Sequence, residues 1–363
     1  MDMCEVIEFP NLDAEMKLPD PVGRRDSCSF YDTAWVSAWD RAFLPGRGWD
    51  RPTIAYSVIS GGSPIGFIAF ANQKVSGLRI KAMAGYYWPF RTLAVRSDDE
   101  ARNTFAHAIT AHFDRRSPGF ILRFGPVSSN DKALFQLLDA LVAHGWHMLR
   151  RKAGDVFQLH LPRDPKHLEA GISSSLLKNI SYQRRRLNKS VGTVSCERYV
   201  LGDNAGELLD LLSRIEAASW VAKEGGDVKF VGQANREFWL ALGRAPGRSS
   251  EAVMWIMRCS LTPVAFSAHI ETADTIYIIA NSYDVEWKAF SPGSILSFEI
   301  LIDGCRRGKT LIDWGQGDSG YKSRWGATYG AKSLMEVMLF RPGLFGKLLA
   351  RLAGYRFSVN KGR

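Results

Sequence analysis

Short runs of β-branched and aromatic residues alternate with glycine turns between residues 53 and 88. The segment TIAYSVISGGSPIGFIAFANQ predicts two antiparallel strands joined at its Gly-Gly turn, and LRIKAMAGYYW predicts a third strand. Apolar residues at helical spacing follow, then the short strand FILRF, a second helical stretch and the strand DVFQLHLP. The first half of the chain is therefore predicted to run as a meander, a helix, a strand, a helix and a strand.

Both of these helices carry start signals. Ser97, with Glu100 three residues later, forms a predicted capping box for the first helix. Asn130 is the predicted cap of the second helix, and Gly145 is its predicted stop. The buried stripe predicted for the second helix consists of Leu134, Leu137, Leu138, Leu141 and Val142.

The second half of the chain repeats this order. AVMWIMRCS, TPVAFSAHIET and DTIYIIANSY predict another meander, and a helix from Pro292 to about Arg307, the strand TLIDW and a final strand SLMEVMLF follow. The periodicity breaks at LPRDP, near Leu161 to Asp164. We therefore predict an α/β fold with two mixed domains of similar architecture in tandem, residues 1–164 and 165–345, and a basic tail at 346–363.

Composition narrows the class of protein. Apolar residues make up 46% of the chain and charged residues 23%, close to the average of soluble globular proteins. No uncharged apolar run approaches the ~20 residues of a membrane helix, and the acidic N-terminal segment is unlike a signal peptide, so we expect a cytoplasmic protein. The five cysteines are odd in number and scattered, which argues against a disulfide framework and a zinc site. We expect no metal.

The net charge of +10 favours an anionic partner such as a phosphorylated cofactor, a nucleic acid or an acidic membrane face. The excess is concentrated in the stretch LLKNISYQRRRLNKS, which contains Arg184, Arg185 and Arg186, and in the last eighteen residues of the chain. Each of these segments is equally consistent with a solvated helix face or an exposed tail.

The segment SPGSILSFEILIDGCRRG begins the predicted helix of the second domain on Ser-Pro-Gly. Pro292 is favourable at a first helical position, Gly293 leaves room for a ligand, and Ser291 and Ser294 offer hydroxyls. The N-terminus of a helix presents unpaired backbone N–H groups to an anion. The segment therefore predicts either an anion site or a simple helix cap.

A meander, a crossover helix and a short strand in this order resemble the GNAT acyltransferases, and their duplication resembles the tandem arrangement of the Fem peptidyltransferases. The S-P-G helix, followed by LIDWGQGDSGYKSRWG, is similar to the signature of the CelD-like GNAT acetyltransferases associated with bacterial cellulose and exopolysaccharide loci. The resemblance covers about 165–340 and includes the arginine-rich helix and Trp220. One departure is EWKAFSPGS, which stands where GNAT enzymes carry Q/R-x-x-G-x-G/A.

The resemblance implies acyl-CoA as co-substrate, bound at Ser291, Gly293 and Ser294 with help from Arg184 and Arg185, and an amine as acceptor. Asp313 or Asp318 is expected to orient or deprotonate the acceptor, Tyr321 to protonate the thiolate, and Lys322 to bind a phosphate or an acyl carboxylate. Capping of the loop is the alternative role for both aspartates. His269 is expected to be a packed histidine, and Trp325 a core residue.

The acceptor is expected to contact Trp220 and the aromatic segment with Tyr86 and Trp88, for which packing between domains is the alternative. We thus expect an N-acyltransferase acting on a small-molecule or glycan-precursor amine, with no DNA partner. A Fem-like transferase using aminoacyl-tRNA is one alternative. The other is a non-catalytic accessory protein of polysaccharide assembly, whose tail would lie on anionic lipid at the membrane face.

Overall fold

A computed structural model of the protein describes residues 4–10, 32–46, 48–75, 77–85, 93–245, 250–317, 320–330 and 332–359. The chain divides into a first unit, Met1–Gly154 with Lys332–Arg363, and a second unit, Asp155–Ala331. No helix among these residues is long and apolar enough to cross a membrane.

The strands are β1 Cys4–Phe9, β2 Trp49–Ser60, β3 Ser63–Val75, β4 Leu78–Met83, β5 Ala94–Val95, β6 Ile121–Ser128, β7 His147–His160, β8 Val194–Val200, β9 Glu251–Cys259, β10 Thr262–Glu271, β11 Thr275–Tyr283, β12 Leu311–Gln316 and β13 Ser333–Phe340. The α-helices are α1 Thr33–Phe43, α2 Asp99–Arg115, α3 Lys132–Ala143, α4 Pro165–Gly171, α5 Ser174–Val191, α6 Ala205–Ala217, α7 Trp220–Lys223, α8 Gln233–Arg244, α9 Pro292–Arg306 and α10 Leu344–Val359. Short 3₁₀ turns occupy Val285–Phe290 and Ser323–Trp325.

The sheet of the first unit runs in the order β1-β2-β3-β4-β6-β13, with β5 paired to β3. Its first four strands are antiparallel, β4 and β6 are parallel, and β6 and β13 are antiparallel. The buried faces of α2 and α3 contribute Phe105, Ile109, Leu134 and Leu137 to the core. The parallel pair requires a crossover, which α2 provides.

The second unit has the same plan. β8, β9, β10 and β11 are antiparallel, β11 and β12 are parallel, and β12 is antiparallel to the end of β7. Here α9 is the crossover helix, and it contributes Ile295, Leu296 and Ile300 to the core. Two mixed α/β units in tandem were predicted from the repeated pattern, and this prediction is confirmed.

The sixth strand of each sheet differs from the sequence interpretation. β13, which the sequence placed in the second domain, pairs with β6 in the first unit, and residues 156–160 of β7, placed in the first domain, pair with β12 in the second. The units accordingly divide at 154/155 and 331/332 rather than at 164/165. Periodicity shows that a strand is half-buried but carries no information about its neighbour in the sheet.

The predicted caps of α2 and α3 are each wrong by one residue. The carboxylate of Asp98, rather than Ser97, accepts the backbone N–H of Ala101 at 2.8 Å, and Asp131, rather than Asn130, accepts that of Leu134 at 3.0 Å. Ser97 and Asn130, which directly precede these aspartates, are also residue types that can cap a helix. Which of two neighbouring candidates becomes the cap is therefore decided by the face of the helix that is buried. Val142 was predicted to belong to the buried stripe of α3, but its side chain is 39% exposed.

Candidate active site

A cleft opens in the second unit where β11 and β12 separate. The two strands pair only from Thr275 with Leu311 to Tyr277 with Asp313. In the pairing of β10 with β11, Ala268 is opposite Ala280 and His269 is opposite Ile278. Ile279 has no partner on β10, so β11 carries a bulge there. A small pocket lies there and is lined by Ser267, Ile278, Asn281, Ser297, Ile300, Leu301, Ile312, Trp314 and Tyr321.

Helix α9 starts beside this pocket, at Pro292, as the sequence predicted. Ser291 precedes it in the left-handed conformation, with φ of 51°, which is uncommon for a residue other than glycine. The first turn contains no acidic residue. A Cβ on Gly293 would meet the ring of Tyr283 at 3.5 Å, an ordinary contact, so glycine is not required there by packing.

Two arginines lie close to this helix start. Arg324 donates to the hydroxyl of Ser294 at 3.2 Å. Arg186 donates to the carbonyl of Ala289 at 3.4 Å, and its guanidinium lies 4.6 Å from the ring centroid of Phe290. Sequence reasoning missed Arg324, although it lies in the loop that reasoning had singled out.

The other two arginines of the basic helix are arranged differently. Arg184 forms an ion pair with Glu299 on α9, whereas Arg185 is exposed. Arg184 therefore connects α5 to α9, and an anion at the start of α9 would compete with the carboxylate of Glu299 for Arg184.

Tyr321 brings a hydroxyl into the pocket and shares a hydrogen bond with Ser297 of α9. Burial raises the pKa of Tyr321, against smaller opposing effects of hydrogen bonds to Ser297 and Trp325. The phenol is therefore protonated at neutral pH and able to donate a proton.

Asp313 and Lys322 stabilise the loop after β12 and do not line the pocket. Asp313 is fully buried; it accepts from Gln158 Nε2 at 3.0 Å and from the backbone N–H of Gly315 at 2.8 Å. Lys322 Nζ donates to the carbonyls of Trp314 at 2.8 Å and Gln316 at 2.9 Å. The arrangement corresponds to the loop-capping alternative for Asp313.

The remaining predicted site residues are less informative. Asp318, Tyr86 and Trp88 lie outside the described residues. Trp220 begins α7 and is 49% exposed, and Trp325 is in the core at 1% exposure, as expected. Among the residues that the structure describes, no group of three or more His, Cys, Asp and Glu side chains is arranged to hold a metal ion.

Three polar residues of the pocket wall, Ser267, Asn281 and Ser297, were missed by sequence reasoning. The available signal was a polar side chain interrupting an apolar run, as in AFSAH on β10, IANS on β11 and ILSF on α9. Of the three, Ser267 is buried, and a buried polar group needs a partner or a ligand.

Comparison with known proteins identifies the second unit. Residues 174–323 match the family model of the acetyltransferase (GNAT) domain, while no curated protein sequence matches the chain significantly. Among solved structures, a crystal structure of FemX is similar at 12% identity, with 88% of this chain and 93% of that chain covered and a TM-score of 0.57.

The C-terminal domain of a putative lysylphosphatidylglycerol synthetase from Agrobacterium fabrum is similar at 14% identity, with 84% and 86% covered and a TM-score of 0.52. A tandem GNAT protein from the clavulanic acid biosynthesis pathway aligns at 15% identity over 94% of this chain and 100% of that chain, with a TM-score of 0.47. At these identities, likeness to solved structures concerns the fold alone. The matched segment contains the cleft, α9 and Tyr321. The chain is therefore an acyltransferase that carries a GNAT domain in its second unit, and its two mixed α/β units in tandem are GNAT-like in fold.

Proposed function

We propose that the second unit transfers an acyl group, an acetyl group in the simplest case, from acyl-CoA to an amine. The observation that carries the proposal is the cleft between β11 and β12, with the start of α9 at one side and the Tyr321 hydroxyl within it. A pyrophosphate at the start of α9, beside the backbone N–H of Gly293 and the hydroxyl of Ser294, gains from the helix dipole. Arg324 and Arg186 add positive charge at the same end of the helix.

The crossover helices of the two units differ in charge, which supports assigning the donor to the second unit. α2 is capped by Asp98 and carries Asp99 and Glu100 in its first turn. Hydrogen bonds from Arg96 and from the Ala101 N–H lower the pKa of Asp98 to about 2, so this end is anionic at neutral pH. Three carboxylates would repel a pyrophosphate from α2, whereas the first turn of α9 has none.

The chemistry follows from the groups in the pocket. The amine nitrogen attacks the thioester carbonyl carbon, the carbon–sulfur bond breaks, and Tyr321 gives its proton to the departing thiolate. Asp313 and Lys322 act as positioning residues because they hold the loop that carries Tyr321. Arg184 and Arg185 remain proposed donor contacts, with Arg184 exchanging its bond to Glu299 for a phosphate.

For the acceptor we propose an amine of a small molecule or glycan precursor, bound in the second unit beside Trp220. The support is the resemblance of the S-P-G helix and the YKSRW loop to the CelD-like acetyltransferases of polysaccharide loci. Asp318, in the same loop, is proposed to orient that amine. The reaction is proposed to take place in the cytoplasm.

Calorimetry of the intact protein tests the donor. We expect saturable, 1:1 binding of acetyl-CoA and no competition by bulk or aminoacylated tRNA at physiological salt. The net charge of +10 favours tRNA as a second candidate. Tight binding of aminoacyl-tRNA that excludes acetyl-CoA would favour the Fem-like alternative and contradict the proposal.

The composition of helix α10 supports a second proposal, that this helix contacts an anionic lipid surface. Its inner residues Leu349, Ala350 and Ala353 pack against Ile80, Ile121 and Phe340. Four apolar side chains on its outer face are exposed: Leu344 (89%), Phe345 (60%), Leu348 (53%) and Leu352 (56%). Exposed Lys347 and Arg351 lie among them, and the helix contains no acidic residue, a composition typical of helices that lie in a membrane interface.

Replacing Leu348 and Leu352 together by Glu should abolish this contact. We expect the wild-type chain to sediment with vesicles containing phosphatidylglycerol and not with pure phosphatidylcholine, and the double variant to bind at least about 10-fold more weakly. Leu261→Glu is the matched control, since Leu261 is 91% exposed in the second unit. Equal binding by the double variant and the control would contradict the proposal.

A further inference from the structure

Three polar residues alternate along β10 and point to the same side: Ser267, His269 and Glu271. Ser267 Oγ lies 2.8 Å from His269 Nε2, and His269 Nδ1 lies 3.6 Å from Glu271 Oε1. All three are buried, with 4%, 0% and 2% of their surface exposed. A hydroxyl, an imidazole and a carboxylate in series form the arrangement that activates a proton-bearing group in many enzymes.

The two ends of this series have different surroundings. Ser267 belongs to the wall of the pocket that also contains Asn281, Ser297 and Tyr321. Glu271 is held away from the pocket by Arg307 at 2.6 Å, by Arg198 at 3.1 Å and by Lys309 at 3.8 Å. The series therefore leads from the pocket to a fixed negative charge inside the second unit.

We propose that Ser267, His269 and Glu271 form a proton relay that accepts the proton of the acceptor amine during acyl transfer. The proposal rests on the proposed function and adds the base that function lacks, since Asp313 does not line the pocket. As the amine nitrogen bonds to the carbonyl carbon, its proton passes to Ser267 Oγ and the Ser267 hydroxyl proton passes to His269 Nε2. Tyr321 independently protonates the leaving thiolate, so each proton has a donor and an acceptor.

The tautomer required by the relay is set by Glu271. His269 must carry its proton on Nδ1, facing the carboxylate, so that Nε2 accepts from Ser267. Nδ1 is buried with no hydrogen-bond partner closer than the Glu271 oxygen 3.6 Å away. Bonds of this type often shorten only when substrate is bound. The imidazolium formed during transfer is then stabilised by the Glu271 charge.

The charges around His269 are consistent with a base at neutral pH. Burial lowers the pKa of His269 below its ordinary value of 6.5, and the nearby Arg307 and Arg198 act in the same direction, while Glu271 opposes them. Although burial raises the pKa of Glu271, bonds from His269 and Arg307 hold it below its ordinary value. Glu271 is thus ionised and His269 neutral at pH 7.

Steady-state kinetics on Ser267→Ala and His269→Gln test the relay, with acetyl-CoA binding measured separately by calorimetry. We expect each variant to lose about 10²-fold in kcat with donor affinity unchanged, and the double variant to lose no more than either alone, because the residues act as a unit. Because the pKa of His269 is lowered from its ordinary value of 6.5, wild-type kcat/KM should still hold at pH 6.5 and fall only at lower pH, where His269 gains a proton. Ser267→Thr, which keeps the hydroxyl, should recover most of the turnover.

The matched control is Ser282→Ala, because Ser282 is a buried serine opposite Phe266 on the neighbouring strand and does not line the pocket. Wild-type turnover and an unchanged pH profile in folded Ser267→Ala would overturn the relay while leaving the proposed function intact. An acetyl adduct on Ser267 in intact mass spectra would also overturn it, in favour of a covalent intermediate. Failure of the wild-type protein to bind acetyl-CoA would instead overturn the proposed function, and the relay with it.

Discussion

Gly293→Glu is expected to weaken acetyl-CoA binding at least about 10-fold, or about 1.4 kcal/mol, without unfolding the protein. The substituted carboxylate would stand in the first turn of α9, where the pyrophosphate is proposed to bind and where the native helix has no acidic residue. Like charges at this distance repel, and the carboxylate itself occupies the positive end of the helix dipole. Calorimetry with acetyl-CoA measures the loss directly.

Gly293→Ala separates charge from size. The added Cβ meets only the Tyr283 ring, at 3.5 Å, so the alanine variant should fold and bind within about twofold of the native protein. The deficit of the glutamate variant should shrink in high salt, because exposed charges are screened. An equal loss in both variants would indicate that space rather than charge matters, and full affinity in folded Gly293→Glu would place the donor elsewhere.

Tyr321→Phe is expected to lower kcat about 10²-fold while donor affinity stays within about twofold. The variant removes the hydroxyl that hydrogen-bonds Ser297 in the pocket and leaves the ring in place. A proton donor acts only below its pKa, and burial raises the pKa of Tyr321 above its ordinary value of 10. The turnover of the native protein should therefore persist through pH 10 and decline only above it. The pH profile of the phenylalanine variant should lack this alkaline decline.

Tyr329→Phe provides the control, because Tyr329 is 67% exposed in the same unit and does not line the pocket. Its removal of a hydroxyl should leave kcat and the pH profile unchanged. If Tyr321→Phe behaves in the same way as this control, the thiolate is protonated by another group or by solvent.

Sequence by itself determined the architecture of each half. The meanders, the crossover helices and the start of α9 at Pro292 follow from local periodicity and from the geometry that proline and glycine impose. The acidic first turn of α2, with Asp99 and Glu100, and the uncharged first turn of α9 can also be read from the sequence, although the capping residue Asp98 cannot. These features depend on residues a few positions apart.

Only the tertiary structure decided which strand completes each sheet, because β6 and β13 are joined by hydrogen bonds across some two hundred residues. It also decided that Asp313 turns toward Gly315 and Gln158 rather than toward substrate. His269 shows the limit most clearly. In the sequence it is a histidine in an apolar strand, typical of packing, and only side-chain directions show that Ser267 and Glu271 contact its two ring nitrogens. Alternation places the three on one face, but the distances depend on rotamers that the surrounding core selects.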